Sequence, residues 1–196
     1  PENVTGRKIV RESALALIDA FNSISRQLDD LSADLTTNIE VKATEINTII
    51  GTIASLNTEI RRIEGLGDKA NDLRDQRDLL VDDLSRIANV SVIESEAGYT
   101  ISIGGMIVVD GSTATPVTAQ ALVGAYQNGD LDSGEIHGMI VSRDVYVADY
   151  RRQLDSLANT LANGEIQVTI PAGSYIPPSV ASTLNPPLTS PLANNT

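Results

Sequence analysis

The chain has 196 residues and a net charge of −12, with 26 acidic against 14 basic residues; so acidic a balance excludes phosphate-backbone binding, which needs concentrated Lys and Arg. It contains no Cys, which excludes disulfides and thiolate metal sites and leaves either redox compartment open. With one Phe, five Tyr and no Trp, its 41% apolar content rests on Ile, Leu, Val and Ala, a supply suited to helix packing and small sheets rather than to an aromatic-lined pocket.

Residues 1–12 are polar and lead into a first helix predicted over 12–64. Leu17, Phe21, Ile24, Leu28, Leu31 and Leu35 fall at alternating steps of four and three, the spacing of a coiled-coil seam. Phe21, Leu28 and Leu35 take the a positions. The next a position would be Lys42, but Ile39, Ile46, Ile53 and Ile60 take over instead, with Ile49, Leu56 and Ile63 at d. That four-residue stutter locally unwinds a supercoil, and the helix is expected to straighten there and change packing partner. Lys42 then falls at d, where its stem can pack while its ammonium reaches water. At 1.5 Å per residue the striped segment alone runs roughly 70 Å.

Gly65 and Gly67 stop the helix. Asp68 is the expected N-cap of a second helix over 69–88, striped by Leu73, Leu80, Leu84 and Ile87. This helix is dense in charge at Asp72, Arg74, Asp75, Arg77 and Asp78. Such a run reads either as a solvated face supported by pairs three and four apart or as a face that meets a neighbouring subunit. The period then changes to two. Val90–Glu94, Tyr99–Ile103 and Met106–Val109, separated by Ala97-Gly98 and Gly104-Gly105, predict a β-meander over 90–110. Residues 110–133 lack a clear period, and Asn128-Gly129 marks a turn. Asp132 with Glu135 resembles a capping box that opens a third helix over 133–163, striped by Ile136, Ile140, Val147, Tyr150, Leu154, Leu157 and Leu161. Beyond Gly164, Ile166, Val168 and Ile170 predict one more strand. Six of the eight prolines follow it and block helix and central strand alike, so 164–196 reads as a linker or the start of a truncated outer domain. The expected fold is mainly α with a small β part: an elongated helical bundle built on one long helix, with its domain at 1–163. The chain opens at Pro1 in mid-pattern and is expected to be a fragment.

Few residues have the pattern of a chemical site. His137 has no second His and no Cys to complete a zinc or catalytic set. Counted from Asp130, the alternating acids of NGDLDSGE place Glu135 where a calcium loop needs Gly and Val141 where it needs a bidentate Glu. Gly104-Gly105 precedes a strand, not the helix a phosphate cradle requires. Asp29-Asp30 and Asp82-Asp83 are helix neighbours whose side chains diverge. No serine sits in a nucleophile elbow, and no apolar run approaches the 18 or so residues that span a membrane. The expectation is no enzyme, no cofactor, no metal, no nucleic acid and no membrane.

The stretches IVRESALALIDAFNSISRQLDDL, IASLNTEIRRIE and ANDLRDQRDLLVDDLS, followed by VSVIESEAGYTISIGGMIVVDGS and GEIHGMIVSRDVYVADYRRQLDSLANTLAN, resemble the flagellar hook-associated protein 1 (FlgK) family in family order over about 1–163. ANDLRDQRD, Ala70 to Asp78, is the most specific part, since a plain coiled coil has no reason to reproduce it. The resemblance implies an extracellular structural adaptor at the hook–filament junction, exported through the flagellar secretion channel and assembled as a ring. Its implied partners are other copies of itself, hook protein and a neighbouring junction protein, with an export chaperone acting through terminal segments missing here. After Leu161 the chain departs from the family, turning at Asn163-Gly164 into the proline-rich stretch. A different flagellar axial protein and an unrelated coiled-coil spacer share the composition and the seam. The seam residues singled out are Phe21, Leu28, Leu35, Ile46, Ile49, Ile53, Leu56 and Ile60. The candidate subunit-contact face is Asp72, Arg74, Asp75, Arg77 and Asp78.

Overall fold

A computed structural model of the chain describes residues 4–163. The chain divides into two compact units, Pro1–Arg151 and Arg152–Thr196. Within the first, helix α1 spans Val4–Glu64 and α2 spans Asn71–Ile87. An antiparallel sheet of β1 (Val90–Ser95), β2 (Gly98–Ile103), β3 (Met106–Asp110) and β4 (Thr113–Ala114) follows in the order β1-β2-β3-β4. Helix α3 covers Ala119–Asn128 and α4 covers Glu135–Val141. A π-helical stretch, Ser142–Val147, then leads into α5, Ala148–Asn163. The described part of the second unit is the helical end 152–163, where Leu157 and Leu161 are exposed. The strand expected at Ile166–Ile170 and the proline-rich stretch lie outside the described residues.

Helix α1 has 61 residues, roughly 90 Å at 1.5 Å each, and its two halves differ. From residue 39 on, Ile39, Ala43, Ile46, Ile50, Ile53, Asn57 and Ile60 form the buried stripe. Leu56 is buried on its flank and Ile49 is half-buried. The apolar face here is wider than a two-helix seam, because it serves two neighbours. Ile46, Ile50 and Ile53 enter the cluster that holds Leu84, Ile101, Val109, Leu122 and Ile140, while Leu56 and Ile60 join Ala70, Leu73 and Leu80 of the α2 side. Before residue 39, Phe21, Leu28 and Leu35 are half-buried and Leu17, Ile24 and Leu31 are exposed. There the packing partner is the π–α5 segment, through Arg143 to Thr36 and Arg151 to Asp29 and the Leu28 carbonyl. Ile39, on the near side of Lys42, already belongs to the main cluster with Ile46, Ile136 and Ile140. The Lys42 ammonium does not simply face water: it bridges Glu45 at 2.9 Å and Glu135 at 2.8 Å.

Three sequence expectations are corrected. Asp68 does not cap α2, which starts after Ala70 with no side-chain cap bond; Ala70 instead plugs the small cluster with Leu56 and Ile60. The Asp132–Glu135 capping box does not form. The cap is Gly134 at φ 92°, seated so closely on α2 that a Cβ there would lie 2.6 Å from the Ile87 carbonyl oxygen, and Glu135 is drawn off to Lys42. In the third helix, Val147 is buried but Tyr150 is exposed; the six-residue π stretch breaks the heptad spacing just before it. The meander appears as expected and gains β4. A register shift at Ile101/Ser102 lets the adjacent Val108 and Val109 both be buried, as a bulge permits. Helix α3, unrecognised in the sequence, is capped by Thr118, whose hydroxyl accepts from the Ala121 N–H, and is closed by Gly129 in the left-handed region.

Candidate functional site

The charged segment of α2 splits according to helical phase. Arg77 is 1% exposed, turned inward between Asn57 of α1 and Tyr99 of β2, which corrects the expectation that it belongs to the exposed face, whether solvated or meeting a neighbouring subunit. Residues two and five positions earlier point the other way, and Asp72, Asp75 and Asp78 are exposed. Arg74 lies between. Its Nε and Nη2 donate to the two Glu64 carboxylate oxygens at 2.7 and 2.8 Å, and its Nη1 donates to Glu94 at 2.9 Å. A bidentate pair of this kind fixes both partners, so the end of α1, the start of α2 and strand β1 are tied at one side chain. The Glu64 carboxyl is held below the usual range by the Arg74 guanidinium, and Arg74 is raised in turn.

Beneath this pair sits a buried polar junction that sequence reasoning missed. Arg77 stacks on the Tyr99 ring and donates from Nη1 to Asn57 Oδ1 at 3.2 Å. Its nearest carboxylate contacts are looser, at 3.6 Å to Glu94 and 3.7 Å to Asp78, and its Nε has no hydrogen-bond partner among the described residues. The aromatic face compensates part of that desolvated charge. Tyr99 donates its hydroxyl to Asp78 Oδ1 at 2.8 Å; burial first, then that bond, raises its pKa, while the Arg77 charge opposes the rise.

Asn57 lies in the buried stripe of α1 beside Ile50, Ile53 and Ile60, one position past the seam residue Leu56, and every polar group it carries is engaged. Its Nδ2 donates to the Gly111 carbonyl at 2.7 Å and the Tyr99 carbonyl at 3.2 Å, while Oδ1 accepts from the Tyr99 N–H and from Arg77. The hairpin can approach this closely only because residue 98 is Gly: its φ is 106°, and a Cβ there would lie 2.7 Å from Asn57 Cγ. Ten residues earlier Asn47 reads another backbone segment in the same way, donating to the Val117 carbonyl at 2.9 Å and accepting from the Val117 N–H at 2.8 Å. Asn57 fastens β2 and the β3–β4 turn to α1, and Asn47 fastens the segment between β4 and α3. Neither asparagine falls on an a or d position of the repeat, so the spacing carries no signal for either.

The charged groups of this arrangement face one another, and among the described residues no group of three or more His, Cys, Asp or Glu is placed to hold a metal ion. His137 lies against Tyr126 with ring centroids 5.5 Å apart. Asp130 accepts at its backbone carbonyl from Asn89. No helix among the described residues is long and apolar enough to cross a membrane. What the geometry can do is hold two helices and a sheet in fixed relation while presenting Asp72, Asp75 and Asp78 outward.

Comparison with known proteins places this arrangement in context. Residues 1–165 match the family model described as the flagellar hook-associated protein FlgK helical domain. The chain is 34% identical over 122 residues to flagellar hook-associated protein 1 of Salmonella typhimurium, covering 60% of this chain and 22% of that protein. It is 29% identical over 182 residues to the Escherichia coli protein of the same name, covering 82% and 33%, and 31% identical over 94 residues to that of Bacillus subtilis, covering 48% and 18%. The chain thus spans a third or less of the length of these relatives. The solved structure of the flagellar hook junction protein FlgK from Burkholderia pseudomallei superposes with a TM-score of 0.69 over 81% of this chain and 32% of that one, at 23% identity, and so shares the fold.

Proposed function

The chain belongs to the FlgK family of flagellar hook-associated proteins, and on that premise we propose that it forms the helical domain of a structural adaptor at the junction between hook and filament. It acts by subunit packing rather than by catalysis. Its partners are further copies of itself, hook protein and the neighbouring junction protein, and it works outside the cell after export by the flagellar secretion apparatus. The observation that carries this reading is the family match across 1–165, which takes in the whole charged segment of α2 and the junction beneath it.

Within the ring, the exposed acids Asp72, Asp75 and Asp78 form the lateral contact, while Arg74 and Arg77 anchor α2 to Glu64, Glu94 and Asn57. The test is Asp72→Lys with Asp75→Lys in a full-length hook-associated protein 1, expressed in a flagellated bacterium that lacks its own copy. The variant should fold and be exported normally, yet leave filaments weakly attached and cells poorly motile. Normal motility would remove the contact role from this face. Normal filaments in cells lacking residues 1–163 altogether would overturn the adaptor reading itself.

A further inference from the structure

Asn128 is the last residue of α3 and is followed by Gly129, and we propose that this pair is a site of spontaneous deamidation, producing an aged form of the domain with a loosened α3 terminus. In this reaction the Gly129 backbone nitrogen gives up its proton and attacks Asn128 Cγ. The new N–C bond closes a succinimide, the bond from Cγ to the side-chain nitrogen breaks, and that nitrogen leaves as ammonia. Water then opens the ring at either carbonyl, giving aspartate or isoaspartate; the net change is one water consumed and one ammonia released. The first step requires a following residue with no side chain to obstruct the attack.

The structure separates Asn128 from its counterparts. Asn47, Asn57 and Asn89 have their side-chain amides committed to backbone carbonyls, and none of them precedes glycine. Asn128 is exposed and its side chain makes no hydrogen bond to the described residues; Gly129 is exposed too, with nothing within 4 Å of where its Cβ would be. Asn128 also lies on the rim of an open groove between the β2–β3 turn and α3, so water reaches it. One feature opposes the reaction. The Gly129 N–H is donated to the Tyr126 carbonyl at 3.0 Å, so attack proceeds from momentary openings of the last turn, and the folded chain reacts more slowly than the unfolded one.

The products are not equivalent to the parent. Aspartate places a charge at a helix C-terminus, where the dipole disfavours it, two residues from Asp130. Isoaspartate lengthens the main chain between Asn128 and Gly129. The N–H groups of Asp130 and Leu131, both donated to the Ala125 carbonyl at 2.9 and 3.2 Å, then fall out of register. Leu131 is 1% exposed, and Gly104 is so close to Ala125 that a Cβ on it would lie 2.7 Å away. The modified terminus therefore loosens the contact between α3 and the hairpin.

Peptide mapping of the folded chain after prolonged incubation at mildly alkaline pH tests the proposal. Residue 128 should show the mass gain of an amide-to-acid exchange, with isoaspartate as the larger product, and Asn128→Gln or Asn128→Ser should abolish it. Amide exchange at 125–131 should be several-fold faster in the aged protein than in the fresh. Retention of the amide at Asn128 while the other Asn-Gly pair, Asn163-Gly164, converts would overturn the proposal. Conversion with unchanged exchange at 125–131 would overturn the loosened terminus.

Discussion

The guanidinium of Arg77 stacks on the ring of Tyr99, 3.3 Å from its centre, and through that contact α2 holds the hairpin from inside the domain. A buried cation is costly to leave without compensation, and here the compensation is spread over a ring, an amide oxygen and two loose carboxylates. Arg77 is therefore part of the interior, although its neighbours in sequence are at the surface.

Arg77→Glu should destabilise the domain by about 3–5 kcal/mol, because it removes the cation and adds a buried charge facing Glu94 and Asp78. Arg77→Met, which keeps the volume and adds no charge, should cost clearly less. Asp72→Lys on the opposite face should change stability by no more than about 0.5 kcal/mol. Urea unfolding of the three variants gives the order, and equal effects at Arg77 and Asp72 would contradict the assignment of one to the interior and the other to the surface.

The two halves of α1 predict unequal responses to the same change. Ile53 is fully buried, and Ile53→Asp should cost about 4 kcal/mol or more, since it buries an unpaired carboxylate. Leu17 is 46% exposed, and Leu17→Asp should stay within about 0.5 kcal/mol in the isolated chain. Thermal melting distinguishes the two outcomes directly; similar shifts would mean that the first half of the helix has a covered partner after all.

Much of this fold was legible because its long elements carry strong periodic signals. The 4–3 spacing of α1 and the glycine-punctuated alternation of the meander each point to one structure. What escaped was short or was decided by tertiary contact. Helix α3 has its apolar content in Ala and a few larger residues, so its period is faint, and Asn128-Gly129 reads as a turn whether or not a helix precedes it. Arg77 looked like surface because charge runs usually are; only Tyr99, 22 residues away, and Asn57, 20 residues back, make its burial tolerable. Asp68 and the Asp132–Glu135 pair had the chemistry of caps, but Ala70 and Gly134 were chosen by packing against α1 and α2. The expectation of a strict seam placed the core at Ile49 as well as Leu56. The sheet on the other flank of α1 recruits Ile50 and Asn57 in addition.

Acid should weaken the tie between α1 and α2 over a defined range. Arg74 holds the Glu64 carboxyl below its ordinary value of 4.5. Between the folded and the unfolded pKa the unfolded chain carries the extra proton, so stability rises with pH across that interval. The contribution is complete above the ordinary carboxylate value and is lost as pH falls through the lower folded one. Glu64→Gln should reduce stability near neutral pH and flatten the acid limb of the stability profile, and the variant should converge with the parent in strong acid. A constant gap between the two at every pH would show that the ion pair is not its source.

Asn57 offers the sharpest contrast between pattern and structure. Judged by burial alone, Asn57→Leu completes the apolar stripe of Ile50, Ile53 and Ile60 and should strengthen the helix. Judged by its contacts, it deprives the Gly111 carbonyl and the Tyr99 N–H of their partners and removes the amide oxygen that meets Arg77. Orphaned buried groups cost about 1–3 kcal/mol each, and the larger side chain also meets the backbone at Gly98, whose approach leaves no room for extra bulk. The expected result is a loss of about 2–4 kcal/mol, in the lower half of the range that two such groups imply. Asn57→Asp should fall between the two, since it keeps an acceptor for Arg77 and Tyr99 but turns a carboxylate towards the Gly111 and Tyr99 carbonyls. Denaturant unfolding supplies the stabilities, and amide exchange at Tyr99 and Gly111 reports whether the hairpin has lifted from α1. A leucine variant as stable as the parent would mean that the hairpin is held by its apolar contacts alone.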